Sequence, residues 1–376
     1  MHILIAPNAF KNSLTAHAAA QAIEKGLQLS GLECTAQCFP IADGGDGTAS
    51  LIIQQLQGKL IKTEIHDPLG KLITASFGII ENGRTAVIEM ADASGLRLLK
   101  QDELNPLRAT SYGTGELIKA ALDKGVSQIL IAMGGSATVD GGTGILKALG
   151  ARFLDAEEQE LKNLPESLIY LHEVDISQMD NRLANCEIIV LCDVDNKLLG
   201  EKGAAAVFGP QKGADADAVK TLDAALARWA NITRQLNGKD MATVKYGGAA
   251  GGASSGVWAY LNARLVNGID HFLTLTGFDE ALAKSNLVIT GEGSIDEQTL
   301  QGKGPFGVAY RAKKKGLPVI ALAGKVPSQK NEELGKYFDV LLAIGNEPTD
   351  ITSAIKNTEQ NLVRTAHEIA KLIKLG

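Results

Sequence analysis

Four apolar runs in this sequence end in loops that mix glycine with carboxylates or hydroxyls. They carry Asp43 and Asp46 in residues 42–48, Ser136, Thr138 and Asp140 in residues 134–142, Asp193 and Asp195 in residues 193–196, and Glu292 and Asp296 in residues 291–296. In open α/β sheets, ligands settle beyond the carboxyl ends of the strands. Carboxylates there can hold a divalent cation, and glycine N–H groups can hold phosphate, so the pattern is that of a Mg²⁺–nucleotide site. Any one of these Asp residues could instead cap a helix or turn the chain. The bland explanation is poor for the whole set. Lys11, in Pro7-Asn8-Ala9-Phe10-Lys11-Asn12-Ser13, could neutralise transferring phosphoryl oxygens, although its spacing alone fits a surface lysine better.

Other chemistries find little support. Residues 302–307 match G-x-G-x-x-G, but they follow a polar stretch rather than a strand, and Pro305 removes an N–H that a dinucleotide loop would use. A helix start there, beside Lys303, still suits an anion. There is no Walker A sequence and no Gly-x-Ser-x-Gly elbow, and the six histidines form no His-x-x-x-His pair. Metal and triad hydrolases are therefore disfavoured. Asp193-Val194-Asp195 after an apolar run leaves an Asp-nucleophile phosphohydrolase as one alternative. A small-acid binding protein without catalysis is another.

The elements that must position these loops alternate. Residues 2–6 read as a strand, 16–29 as a helix capped by Ser13 or Thr15, and 35–41 as a second strand followed by a helix. Residues 59–66, 71–80 and 85–91 read as strands joined by turns, with Asn82-Gly83 a hairpin signal. Strands at 128–133 and 187–192 and a helix near 216–236 follow. The pattern then returns to strands at 286–290, 318–323 and 340–344, with helices at 306–315 and 359–375. Pro305 suits the first helical turn. The fold class is α/β and discontinuous: residues 1–60 and 285–376 complete one parallel-sheet domain, and residues 61–284 form an inserted mixed α/β domain.

The chain has 376 residues, enough for two domains at roughly 100–200 residues each. Hydrophobic residues make up 45% and charged residues 21%, and the net charge is −6. Aromatics at 5% are too few for a base-stacking surface. Lys313-Lys314-Lys315 suits a helix C-terminus better than nucleic acid. No apolar run approaches the ~18 residues of a membrane span, and the first residues read as a strand, not a signal peptide. Four scattered cysteines make no disulfide framework. The expectation is a cytoplasmic protein with no nucleic-acid or membrane partner, monomeric or homodimeric.

Seven blocks, in order and spanning the chain, resemble the bacterial type-1 glycerate kinase family: residues 5–14, 42–48, 110–116, 134–142, 192–196, 203–213 and 289–293. The resemblance implies ATP- and Mg²⁺-dependent phosphorylation of D-glycerate, with 2-phosphoglycerate favoured as product. It also implies a Rossmann- or flavodoxin-like domain interrupted by a second α/β domain, with the active site in the cleft between them. Two positions depart from the family's pattern: Asn8 stands where Asp is common, and Asp46 where Glu is common. Asn8 is accordingly not assigned as a base. On this reading Asp193, in preference to Asp43, orients or deprotonates the attacking hydroxyl. Lys11 stabilises equatorial charge, and Asp296 or Glu292 helps hold Mg²⁺. Gly134, Gly135, Ser136, Thr138, Gly291, Gly293 and Lys303 bind the cofactor's phosphates or the substrate carboxylate.

Overall fold

The computed structural model describes residues 1–375, which form two compact units: Met1–Asp43 with residues 269–375, and Gly44–Gly268. Thirteen strands run in chain order: β1 (His2–Pro7), β2 (Thr35–Cys38), β3 (Lys59–His66), β4 (Leu72–Ile80), β5 (Thr85–Glu89), β6 (Gln128–Ala132), β7 (Arg152–Leu154), β8 (Glu173–Asp175), β9 (Glu187–Cys192), β10 (Arg264–Asn267), β11 (Leu287–Ser294), β12 (Val319–Lys325) and β13 (Val340–Ala343).

The first unit is built on a five-stranded sheet in the order β13-β12-β11-β1-β2, parallel throughout. Its strands read as unbroken apolar runs because a parallel sheet is covered on both faces. Ile3, Ile5, Ile289 and Leu322 share a core with Ile23, Leu27, Leu362 and Ile369 of helices Ala16–Leu29 and Thr358–Leu375. Each such side chain contributes about 1.5–3 kcal/mol when fully buried. Of the two caps expected for the first helix, Thr15 is used, accepting from Ala18 N at 3.2 Å. Helix Gly304–Lys314, with Pro305 in its first turn, packs against β1, β11 and β12.

The second unit holds a six-stranded sheet in the order β10-β9-β6-β5-β4-β3. β10, β9, β6 and β5 are parallel, while β4 and β3 are antiparallel. The β4–β5 turn takes Glu81 and Asn82 to φ of 51° and 54°, a left-handed conformation that Asn tolerates well. Mixed α/β architecture with one parallel and one mixed sheet is thus observed.

Some boundaries fall elsewhere than the sequence pattern suggests. Helix Thr48–Gln55 packs on β4 and β5, with Ile53 seated over Gly78, so residues 44–60 lie in the second unit. Residues 269–284 lie in the first, where Phe278 meets Phe39 edge-to-face at 5.2 Å. β2 stops at Cys38, and β11 runs on through Ser294. Residues 291–294, expected in a loop, are therefore strand, paired with β12. Among the described residues no helix is long and apolar enough to cross a membrane.

Trp229 is wholly buried in the second unit, stacked on Tyr260 at 5.1 Å, and donates Nε1–H to Gly141 O at 3.1 Å. It supports the loop after β6 from below. Trp229→Phe keeps most of the packing but strands that carbonyl, so we expect a loss of about 1–3 kcal/mol in denaturant unfolding followed by circular dichroism. An unchanged midpoint would mean the bond adds nothing.

Candidate active site

In the first unit, the ends of β1 and β2 and the strand β11 bring four polar residues together. Asn8 N donates to Gly291 O at 2.8 Å, and Thr290 Oγ1 donates to Ala6 O at 2.7 Å, which locks β1 to β11 at this level. Asp43 Oδ2 accepts from Asn8 Nδ2 at 2.9 Å and from Gly304 N, at the start of helix Gly304–Lys314, at 3.3 Å. Asn8 is thus an amide donor to a carboxylate, a role the Asp common in the family could fill only if protonated. The helix start, expected as an anion site beside Lys303, is partly occupied by the protein's own Asp43.

Glu292 is 8% exposed and accepts from Thr299 Oγ1 at 3.2 Å. Burial, and next the charge of Asp43, push its carboxyl up to about 7, against the pull of Lys303, Thr299 and Lys11. Asp43, Lys303 and Lys11 therefore all act electrostatically on Glu292. Asp296 is engaged otherwise: its Oδ1 caps the following turn, accepting from Gln298 N at 2.9 Å. Gly291 lies buried in the sheet ladder, and Gly293 sits beside the backbone of Lys11.

In the second unit, the loop after β6 is held by Asp140. This fully buried carboxylate accepts from Ser111 N (2.8 Å), Ser111 Oγ (2.7 Å), Gly142 N (3.1 Å) and Gly144 N (3.2 Å). Three of these donors fall on Oδ2 and one on Oδ1, so Asp140 ties residue 111 to the turn at 142–144 and positions the loop. Gly134 packs so tightly on the Gly45 backbone that any side chain would collide with it. Its N–H is donated to Gly44 O at 3.1 Å, so Gly134 supplies close approach, not a phosphate donor. Gly135 is exposed, at φ 73°.

Ser136 and Thr138 face Lys212. Its Nζ donates to Ser136 Oγ at 2.8 Å and to Thr138 O at 2.7 Å. Burial drives the lysine down to about 7, opposed by Asp140 and by Asp193, the half-buried residue that follows β9. Thr138 Oγ1 is buried without a hydrogen-bond partner. At the end of β5, Glu89 is 2% exposed and accepts from Ala49 N, in the first turn of helix Thr48–Gln55, at 2.8 Å. Burial raises it to about 8; the Ala49 N–H pulls the other way, and Asp46 adds to the rise. Arg97 bridges Asp46 and Asp92.

Sequence reasoning thus missed Lys212, Glu89 and Ser111 as functional candidates. Lys212 closes the recognised block 203–213, which was the signal available; nothing in its neighbours announces burial.

These loops belong to a recognisable lineage. A sequence model of the glycerate kinase family matches residues 3–374. The chain belongs to the glycerate kinase family. It is 44% identical over 376 residues to the glycerate kinase of Bacillus subtilis (strain 168), spanning 100% of this chain and 98% of that one. It is 41% identical to the glycerate 2-kinase of Escherichia coli (strain K12), spanning 100% and 99%. A crystal structure of a glycerate kinase 2 from Salmonella typhimurium LT2 matches at TM-score 0.84 and 41% identity, spanning 100% of this chain and 99% of that one. The family membership read from seven motifs holds over the full length.

For this member of the glycerate kinase family, Glu89 sets a pH signature. Its raised folded-state affinity for a proton adds stability that is fully present below about 4.5 and is lost as pH rises through about 8. Glu89→Gln removes that dependence. Relative to the parent, the variant should gain a few degrees of Tm between about pH 5 and pH 9 in thermal-shift series. A constant difference would show that Glu89 ionises as an ordinary carboxylate.

Proposed function

We propose that this protein transfers the γ-phosphoryl group of ATP directly and in line to the 2-hydroxyl of D-glycerate. The observation that carries the reading is the full-length likeness to proteins named glycerate kinase, one of them named a glycerate 2-kinase. Asp193 is the residue proposed to take the proton from the attacking hydroxyl, while Asp140, with four donors, positions the loop after β6. Lys11 would lie against charge developing on the equatorial phosphoryl oxygens, assisted by Lys303.

The residues fit Mg²⁺. Among the described residues no group of three or more His, Cys, Asp or Glu side chains could hold a metal ion. Mg²⁺ asks for less than that: one or two carboxylates, with water and substrate phosphates completing the shell. Glu292 and Asp43 supply two carboxylates whose mutual repulsion raises Glu292, a cost that a divalent cation would relieve. Asp296 caps the turn that carries Thr299, and so helps hold Glu292 in place. When bound, the ion would draw negative charge from the β- and γ-phosphoryl oxygens. Glu292→Gln should therefore raise the Mg²⁺ concentration needed for half-maximal rate.

The test is an ADP-release assay with ATP, Mg²⁺ and D-glycerate, followed by phosphorus NMR of the product. Glycerate-dependent ADP with 2-phosphoglycerate is expected. A 3-phosphoglycerate signal would reject the site of attack, and no glycerate-dependent ADP would reject the kinase reading. Asp193→Asn should lower kcat by at least about 100-fold with little change in Tm, as expected for a group acting in proton transfer. Near-normal turnover would remove Asp193 from the mechanism.

A further inference from the structure

Lys212 is the only lysine or arginine buried among the described residues. It is placed by a tight turn: Lys212 N bonds Gly209 O at 2.9 Å, Gly213 N bonds Pro210 O at 3.1 Å, and Gly213 (φ 97°) packs against the carbonyl of Leu104. That anchoring leaves the side chain aimed at the loop after β6.

The locus has an excess of donors. A neutral amine places its two protons on Ser136 Oγ and Thr138 O, so the third proton of the charged form is free for a ligand. Because the Ser136 oxygen accepts from the lysine, its own O–H must point to another acceptor. Thr138 Oγ1 is buried without any partner. The nearby Asp140 accepts from Ser111, Gly142 and Gly144 and makes no bond to Lys212, Ser136 or Thr138. Buried polar atoms left in this state mark a place where a ligand completes the bonding.

The missing partner is an anionic oxygen. A single buried cation with two hydroxyls matches a monoanion better than a metal-bound triphosphate. The Asp193 charge also acts on Lys212. In a 2-hydroxy acid, the carboxylate and the hydroxyl sit on adjacent carbons. A carboxylate receptor beside the proposed base would present the 2-hydroxyl, not the 3-hydroxyl, for attack.

We propose that Lys212, with the hydroxyls of Ser136 and Thr138, is the receptor for the substrate carboxylate, and that D-glycerate brings a proton onto the lysine as it binds. This rests on the kinase reading above. The proton comes from solvent and adds to the neutral amine; no covalent bond to the substrate changes. The charged groups facing the amine are Asp140 from the loop after β6 and Asp193 from the end of β9. Burial outweighs both in the unliganded protein and leaves the amine largely neutral at pH 8.

Calorimetric titration of the full chain with D-glycerate at pH 8, in buffers of differing ionisation enthalpy, counts protons taken up. Close to one proton per glycerate is expected, by linkage. Lys212→Arg, charged throughout, should still bind glycerate but take up almost none. Ser136→Ala, which keeps the lysine and guards against a misfolded first variant, should weaken glycerate about tenfold while leaving ADP affinity unchanged. Glycerate binding by the parent without proton uptake would overturn the proposal and leave the kinase reading standing. Uptake that persists in Lys212→Arg would assign the proton to Glu292 or Glu89 and overturn it as well. An equal loss of ADP affinity in Ser136→Ala would move the receptor to the nucleotide. No glycerate binding by any variant or the parent would defeat both readings.

Discussion

A carboxylate taken out of water must either be given donors or keep its proton. Asp140 shows the first solution. Four N–H and O–H groups converge on it and tie residue 111 to the turn at 142–144. Glu89 and Glu292 show the second: backbone N–H groups of Ala49 and Gly47 meet Glu89 and the Thr299 hydroxyl meets Glu292, yet each is held well above the ordinary carboxylate range. An acid well supplied with donors makes scaffold; an undersatisfied one stores electrostatic cost that a cation or a proton can relieve. Both kinds sit at or near the carboxyl ends of parallel strands, where side chains leave the sheet core while backbone is still rigid.

Rigidity there depends on backbone touching backbone. Gly134 lies against Gly45 with no room for a side chain. Gly141 (φ 61°) leans on Trp229 and receives its indole N–H. The loop after β6 is thereby held from one side by a neighbouring loop and from the other by an aromatic floor. Its hydroxyls can then face Lys212 with defined direction, which a mobile glycine loop could not ensure.

Much of this was legible from residue types. Apolar runs ending in acidic glycine loops reported the strand ends, because burial and turn chemistry both leave strong local signatures. Which acid faces which was not legible. Asp43 and Glu292 are far apart in sequence and meet only because β1 lies between β2 and β11. The role of Asp140 needed Ser111, whose contribution is a backbone N–H and a hydroxyl that look like any others in a helix start. Lys212 carried no warning, since lysine is ordinarily exposed and only the closed turn at 209–213 sends it inward. Nor was the partner of helix Thr48–Gln55 legible: the helix reads as the next step of a βαβ repeat yet packs on β4 and β5.

The pairing of β1 with β11 has a consequence for how the chain comes into being. Ile3 lies opposite Leu287, and the first helix packs on Thr358–Leu375. On a ribosome making roughly 5–20 residues per second, the first strand waits on the order of 15–60 s for its central neighbour. Throughout that interval Ile3, Ile5 and the apolar face of Ala16–Leu29 have no finished core to enter, while residues 44–268 are made in full and can fold before β11 arrives. The unit built first in sequence is thus the last to close, and its nascent strands are the segment with most to gain from a chaperone.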